Sequence, residues 1–349
     1  MKTIGFFAEA LRLARLSEMG DPLEKVLKAV DWELFRPILD AVFHKEVRGV
    51  GGRKPWDYIL MFKILLLQAW YNIADDKTEY MINDRLSFQR FLGLSLGDKV
   101  PDAKTIWLFR DTLSKCGADK ELFDLFTAQM EEQGVITHSG SIVDASFVDV
   151  PRQRNSREEN KIIKEGGIPE GWEMPENVNK LEQKDIDARW AKKNDETHYG
   201  YKDHVKVDAE SKMIVNFTVT DASVHDSKAI VEICDEKDNV INADSAYVGE
   251  DLERGLKEKC GKDVVLEINE KGYRNKPLTE EQKGSNREKS RVRSRVEHVF
   301  GYMTNSMGGM TIRSIGLRRA RCAIALKNLA YNLSRYAYLS SVKKEPLAA

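Results

Sequence analysis

A chain of 349 residues has room for two or three domains, and 42% hydrophobic residues can bury real cores, which excludes wholesale disorder. The formal charge of −1 hides a strong asymmetry. From Lys271 onward there are 17 lysines and arginines, five glutamates and no aspartate, a net of +12 that leaves −13 on the preceding 270 residues.

Residues 1 to about 135 read as helical, with Leu23, Val26, Leu27 and Val30, then Ile59, Phe62, Leu66 and Ala69, at helical spacing. Glu9 and Arg12 interrupt any apolar core of a leader segment. The longest apolar stretch, Tyr58 to Ala74, contains Lys63, Gln68 and Asn72 and reads as a buried helix rather than a membrane span. Gly49 to Pro55 is a basic connector carrying Arg48, Arg53 and Lys54. Asp102 or Ala103 stands where an acidic cap would start a helix with the stripe Ile106, Phe109 and Leu113. Lys104 and Arg110 would be exposed on it, a weak signal for DNA beside the plain reading of a packing domain.

The pattern changes at Ser139. Ser141 to Val150 is β-rich and ends at Pro151. Residues 152 to about 198 are polar and too long for a simple connection, so they read as an insertion, helical near Val178 to Lys193. Strands follow at His204 to Val207 and Met213 to Thr220, with Asp208 to Ser211 as the turn. Then come a helix (Ser227 to Glu236), a strand (Val240 to Asp244), a helix (Gly249 to Lys259), a strand (Asp263 to Ile268), a helix (Arg287 to Tyr302) and a long terminal helix (Leu317 to Leu339). A three-stranded meander followed by strand–helix units is the order of a ribonuclease-H-like fold. The expected class is α/β, with a helical domain over 1–135 that is a candidate for DNA-end binding, an RNase-H-like catalytic domain over 136–310 with the insertion, and a C-terminal helix over 311–349.

Two acids interrupt apolar strands. Asp144 lies mid-strand on a face with Ser146 and Val148, and Asp244 ends Val240-Ile241-Asn242-Ala243, where ligand sites of α/β sheets collect. Each alone could be a satisfied turn or edge acid. On the arginine-rich helix Val292, Val296, Val299 and Met303 form a stripe that would pack on the sheet, with Arg293, Glu297 and Phe300 beside it. An Arg293–Glu297 helical ion pair is the plain reading of those two. Three converging carboxylates would need cations, and hard oxygen ligands suit Mg²⁺, or Mn²⁺. Two such ions about 4 Å apart can activate a water or a 3′ hydroxyl and steady the leaving oxygen of a phosphodiester. Lys289, Arg291, Arg293 and Arg295 would grip the backbone. Asp149 falls on the opposite face from Asp144 and reads as a rim residue, while His225, Asp226 and His298 could touch the site, though single histidines more often serve structure. The four cysteines, Cys116, Cys234, Cys260 and Cys322, form no CxxC pair, so they suggest no zinc ribbon or disulfide frame and fit a reducing cytoplasm.

The segment Lys271-Gly272-Tyr273-Arg274-Asn275-Lys276-Pro277-Leu278, followed by Asn286 to Gly301 (NREKSRVRSRVEHVFG), closely resembles the bacterial insertion-sequence-five family of DDE transposases. The likeness extends to Ile142 to Ser146, Asn242 to Tyr247, His198 to Lys202, Val224 to Ser227 and, in the helical region, Pro101 to Arg110. It implies an RNase-H-like core, a metal-bound triad of Asp144, Asp244 and Glu297, and mobile-element ends as substrate. Ser290 stands where the broader pattern has tyrosine, and Thr304 where it has lysine. The resemblance also implies contacts from Lys202 to DNA, terminal inverted repeats and target DNA as partners, a homodimer or larger assembly, no membrane, and a bacterial cytoplasm near the nucleoid. A non-catalytic DNA-binding derivative and a metal-dependent nuclease without strand transfer are the rival readings.

Overall fold

The computed structural model describes residues 7–44, 54–193, 195–247, 249–261, 263–270, 272 and 277–342, with Val178 and Ala246 described by backbone alone. Arg48 and Arg53 of the basic connector, and Lys271 and Tyr273 to Lys276 of the family-like segment, lie outside the described residues. The chain divides into two compact units: Met1–Leu125 with Leu326–Ala349, and Phe126–Ala325. Among the described residues no helix is long and apolar enough to cross a membrane.

The first unit is helical: α1 (Ala8–Glu18), α2 (Pro22–Ala29), α3 (Arg36–Phe43), α4 (Tyr58–Tyr71), α5 (Asp75–Asp84), α6 (Leu86–Leu92), α7 (Ala103–Cys116) and the start of α8 (Ala118–Glu132). Helix α4 is apolar over most of its surface, interrupted by Lys63 and Gln68, and Ile59, Phe62, Ile64, Leu66 and Leu67 are all buried. Asp57 caps it by accepting the Leu60 N–H at 3.0 Å, and Asn72 ends it at φ 49°. Residues from the last helix belong to this unit, where the Trp70 indole N–H donates to the Ala330 carbonyl at 2.8 Å. Helix α7 starts as expected, with Asp102 accepting the Thr105 N–H at 2.8 Å. Arg110 departs from its expected exposure. Its guanidinium makes a bidentate 2.6 Å pair with Asp75 and a 3.0 Å bond to Gln68, so it ties α7 to α5 and α4.

The second unit contains β1 (Ser141–Asp149), α9 (Arg157–Lys164), α10 (Val178–Glu182), β2 (Arg189–Lys193), β3 (Glu196–Asp208), β4 (Ile214–Asp221), α11 (Asp226–Ile233), β5 (Val240–Ala243), α12 (Glu250–Cys260), β6 (Val265–Ile268), α13 (Glu280–Arg293), α14 (Arg295–Asn305) and the first part of α15 (Leu317–Val342). The strands run β2-β3-β1-β5-β6, with β4 also on β3. β1 is antiparallel to β3 and parallel to β5, and β5 is parallel to β6. An antiparallel β1, β3 and β4 extended by parallel β5 and β6 is the ribonuclease-H-like arrangement expected from the element order.

One face of this sheet carries a continuous core in which Val143, Ile241, Ala243 and Tyr247 meet Ile230 and Ile233 of α11 and Leu252 and Leu256 of α12. Alternation puts Asp144 on the opposite face, the side of α14, whose Val296, Val299 and Met303 are fully buried. The buried Lys206 ammonium pins β3 to the loop before β5, 2.8 Å from Asp235 and 2.9 Å from Asp238.

Three expectations are corrected. The helix expected over Val178 to Lys193 stops at Glu182, and Arg189–Lys193 is instead a strand on β3. The cause is the buried Asp185 carboxylate, which accepts the Tyr201 hydroxyl at 2.7 and 2.8 Å and the N–H groups of Asp187 and Ala188 at 3.1 and 3.0 Å, so the backbone turns there. The strand expected at His204 to Val207 begins eight residues earlier, at Glu196, because β2 supplies a partner for its first part. The arginine-rich helix starts at Glu280, under a Thr279–Gln282 capping box, and breaks at Ser294, whose hydroxyl donates to the Arg291 carbonyl at 3.0 Å. Where the hairpin base crosses β1, Gly200 adopts φ 151°, and a Cβ there would stand 2.3 Å from the Val148 carbonyl oxygen.

Candidate active site

The parallel register pairs Ser141 with Ile241 and Ile142 with Asn242. Two residues beyond Ile142 and Asn242 stand Asp144, in the middle of β1, and Asp244, just past the carboxyl end of β5, which therefore share the α14 face side by side. Adjacent strands lie about 5 Å apart, so two like charges face each other there. The Asp144 carboxyl is pushed above the ordinary range first by burial and also by Asp244, against the pull of the Ala145 N–H, Arg293 and Lys193. Each acid is steadied by the next residue's backbone, Asp144 by the Ala145 N–H at 2.8 Å and Asp244 by the Ser245 N–H at 2.6 Å.

Glu297 lies in the first turn of α14 and is two-thirds exposed. Arg293 stands between it and the strand acids, 3.4 Å from Asp144 and 3.9 Å from Glu297. The three predicted acids are thus linked through one guanidinium rather than converging directly, and among the described residues no cluster of three His, Cys, Asp or Glu side chains has metal-binding geometry. The donor set nonetheless suits a hard cation: a partly buried carboxylate beside a second carboxylate, with a positive group already drawn between acids that would otherwise repel.

The expected DNA-contacting cations are placed unequally. Arg291 is exposed. Arg295 donates to the Ala209 carbonyl at 2.6 Å, and Lys289 to the Ile268 carbonyl at 3.1 Å. Lys202 is only 12% exposed, donates to Val224 O at 2.7 Å and Asp226 at 2.8 Å, and lies over the Phe147 ring, so it holds the start of α11. Ser290, at the position expected for tyrosine, accepts from Asn269 at 3.0 Å and ties α13 to the end of β6, and Thr304 is exposed. His225 caps α11, His298 is exposed, and Asp149 meets His198 at 3.3 Å on the rim.

Two residues escaped the sequence reading. Tyr247 is buried, with no hydrogen-bond partner for its hydroxyl among the described residues. Its phenol is pushed up by burial first and then by the negative charges of Asp226, Asp144 and Asp244, which places it behind the acid pair. The sequence signal was its place at the end of the family-like segment Asn242 to Tyr247, three residues after Asp244, with no role attached to it. Lys193, on β2, contributes positive charge to Asp144 from a segment that reads as helix in the sequence.

The sheet is thus ribonuclease-H-like, with Asp144 in the middle of β1 beside Asp244 just past the end of β5. The transposase DDE domain family matches residues 136–333, and the transposase domain (DUF772) matches residues 11–112. The chain belongs to the DDE transposases, a family of polynucleotidyl-transfer and nuclease chemistry that generally employs divalent metal ions. Among solved structures it is similar to that described as the cryo-EM structure of piggyBac transposase synaptic complex with hairpin DNA, at 13% identity and a TM-score of 0.47, over 94% of this chain and 77% of that one.

Proposed function

We propose that this protein is the transposase of a bacterial insertion sequence of the insertion-sequence-five type, which cuts DNA at the element's terminal inverted repeats and joins the released ends to target DNA. Asp144, Asp244 and Glu297 are its catalytic and metal-holding residues. The observation that supports this reading is that parallel β1 and β5 put Asp144, mid-β1, beside Asp244, just past the end of β5, with Arg293 reaching from Asp144 to Glu297.

Magnesium, or manganese, two ions per site, would be held by these three acids and would supply charge neutralisation at the scissile phosphodiester. Arg293 balances the acids and orients Glu297 toward Asp144. Arg291, Arg295 and Lys289 face the backbone of the bound strand, and Lys202 steadies the α11 side of the site. Two ends must be joined in one complex, so a homodimer or larger assembly on DNA, in the bacterial nucleoid, follows from the same reading.

The test is a cleavage and strand-transfer assay on element-end DNA with Asp144→Ala, Asp244→Ala and Glu297→Ala, together with Mn²⁺ binding measured by calorimetry. Each variant should lose metal-dependent cutting and weaken Mn²⁺ binding while retaining end binding. Cutting and joining by Asp244→Ala at the wild-type rate would refute the triad. Strand transfer from a pre-cut end separates a transposase from a simple nuclease.

A further inference from the structure

The hairpin of β2 and the start of β3 carries a surface that the proposed chemistry does not use. Trp190 is 45% exposed on a strand at the end of the sheet. Its ring lies 4.8 Å from that of Tyr199 across the ladder, and the Arg152 guanidinium lies 5.5 Å from the indole. Lys192 and Lys193 are exposed on the same strand. Alternation along β2 puts Lys192 on the side of Trp190 and Lys193 on the other. Asp195 and Glu196 at the turn are also exposed, and the Glu196 carboxylate is 3.8 Å from His198.

An exposed indole flanked by guanidinium and ammonium groups at a sheet edge is costly to leave in water and suits one class of ligand well. Every nucleobase has a π face that an aromatic ring can cover, and the neighbouring phosphates are matched by the cations. Bases inside a duplex have both faces occupied by their neighbours, so an indole can stack only on an unpaired or terminal base.

We infer that the β2–β3 hairpin is a DNA contact in which Trp190 stacks on an unpaired base of the bound DNA, with Arg152 and Lys192 on the adjoining phosphates. This rests on the transposase reading, because the ligand is the DNA that the site would process.

The probes are a fluorescein-labelled blunt duplex and the same duplex with an unpaired oligothymidine tail, titrated with the full chain by anisotropy at low salt. Wild type should bind the tailed probe more tightly than the blunt one. Trp190→Ala should weaken tailed binding roughly tenfold, about 1.4 kcal/mol, and change blunt binding by less than about twofold, with Trp190→Phe close to wild type. The tailed probe should also quench tryptophan emission in wild type, and most of that quenching should be missing in Trp190→Phe.

Equal tailed binding by wild type and a folded Trp190→Ala overturns the inference, as does equal quenching in wild type and Trp190→Phe, a readout that survives if the alanine variant fails to fold. If wild type cuts element ends while either result holds, the stacking inference falls and the transposase reading stands. If wild type binds neither probe, both fall.

Discussion

Lys206→Met tests the buried charge that ties the central antiparallel strand to the approach of β5. The Lys206 and Asp238 side chains have no exposed surface, whereas Asp235 is 41% exposed. Removing the ammonium leaves Asp238 with the Ser141 hydroxyl and the Asp235 N–H at 2.8 Å, two hydrogen bonds but no cation. Stranding a buried carboxylate in this way costs about 3–5 kcal/mol, whereas the half-exposed Asp235 arm adds at most about 1 kcal/mol. With a urea slope of about 2–3 kcal/mol/M, the unfolding midpoint should fall by about 1–2 M. Lys206→Met/Asp238→Asn, which removes both charges and keeps an acceptor for Ser141, should recover at least half of the loss.

The pH dependence has a definite sign. Burial alone would lower the Lys206 pKa, but Asp238 and Asp235 raise it further than burial lowers it. Its stabilisation is therefore complete below the unfolded lysine value of about 10.4 and is lost as pH rises through the folded value. Burial would raise the Asp235 pKa, and the Lys206 bond overcomes this and lowers it, so that contribution is present above the unfolded value of about 3.9 and lost in acid. The gap between wild type and Lys206→Met should be flat around neutrality and shrink at both extremes. A loss below about 1 kcal/mol, or a double variant no more stable than the single one, would refute the argument.

Asp144→Asn should raise the melting temperature at neutral pH. The folded carboxyl is pushed up by burial and by Asp244, so charging it costs stability as pH rises through its folded value, and the benefit of asparagine should fade in acid. A variant that melts below wild type at neutral pH contradicts this sign. Arg110→Ala strands the half-buried Asp75 and should cost about 2 kcal/mol in denaturant titration, with Arg110→Lys recovering only part because it cannot make the bidentate pair. Gly200→Ala meets the Val148 carbonyl oxygen and a disfavoured φ together and should lose about 3 kcal/mol or more, and a near-neutral melt would show that the hairpin base can shift.

Much of the core was visible in the chain because each element carried its own local signal. Val240-Ile241-Asn242-Ala243, the acidic cap at Asp102 and the stripe Val296, Val299 and Met303 are short-range patterns that the structure keeps, whereas Val292, expected on the same stripe, falls in α13 before the break and is only half-buried. What escaped depends on distant partners. Arg189–Lys193 looks helical when only its neighbours are considered, but Asp185 stops the helix by serving Tyr201, sixteen residues away. Arg110 reads as an exposed cation until Asp75, 35 residues earlier, is brought beside it. Lys202 resembles a DNA-contacting lysine by its surroundings in the chain, yet its ammonium is satisfied by Val224 and Asp226 across the turn after β4.

The same distinction separates the acids. Local pattern could place Asp144 mid-strand and Asp244 at a strand end but could not bring them together, because that rests on which residue of β5 lies beside Ser141. A slip of one residue would turn one of them to the opposite face, so the register itself is what makes a pair of two isolated carboxylates. Glu297 depends on something else. It sits just past the break at Ser294, on a helix whose direction is set by Val296, Val299 and Met303 against the sheet rather than by continuity with α13. Two acids are thus fixed by strand pairing and the third by helix packing. Under the proposed function, cation binding has to adjust the third acid, through the Arg293 contact that now separates it from the other two.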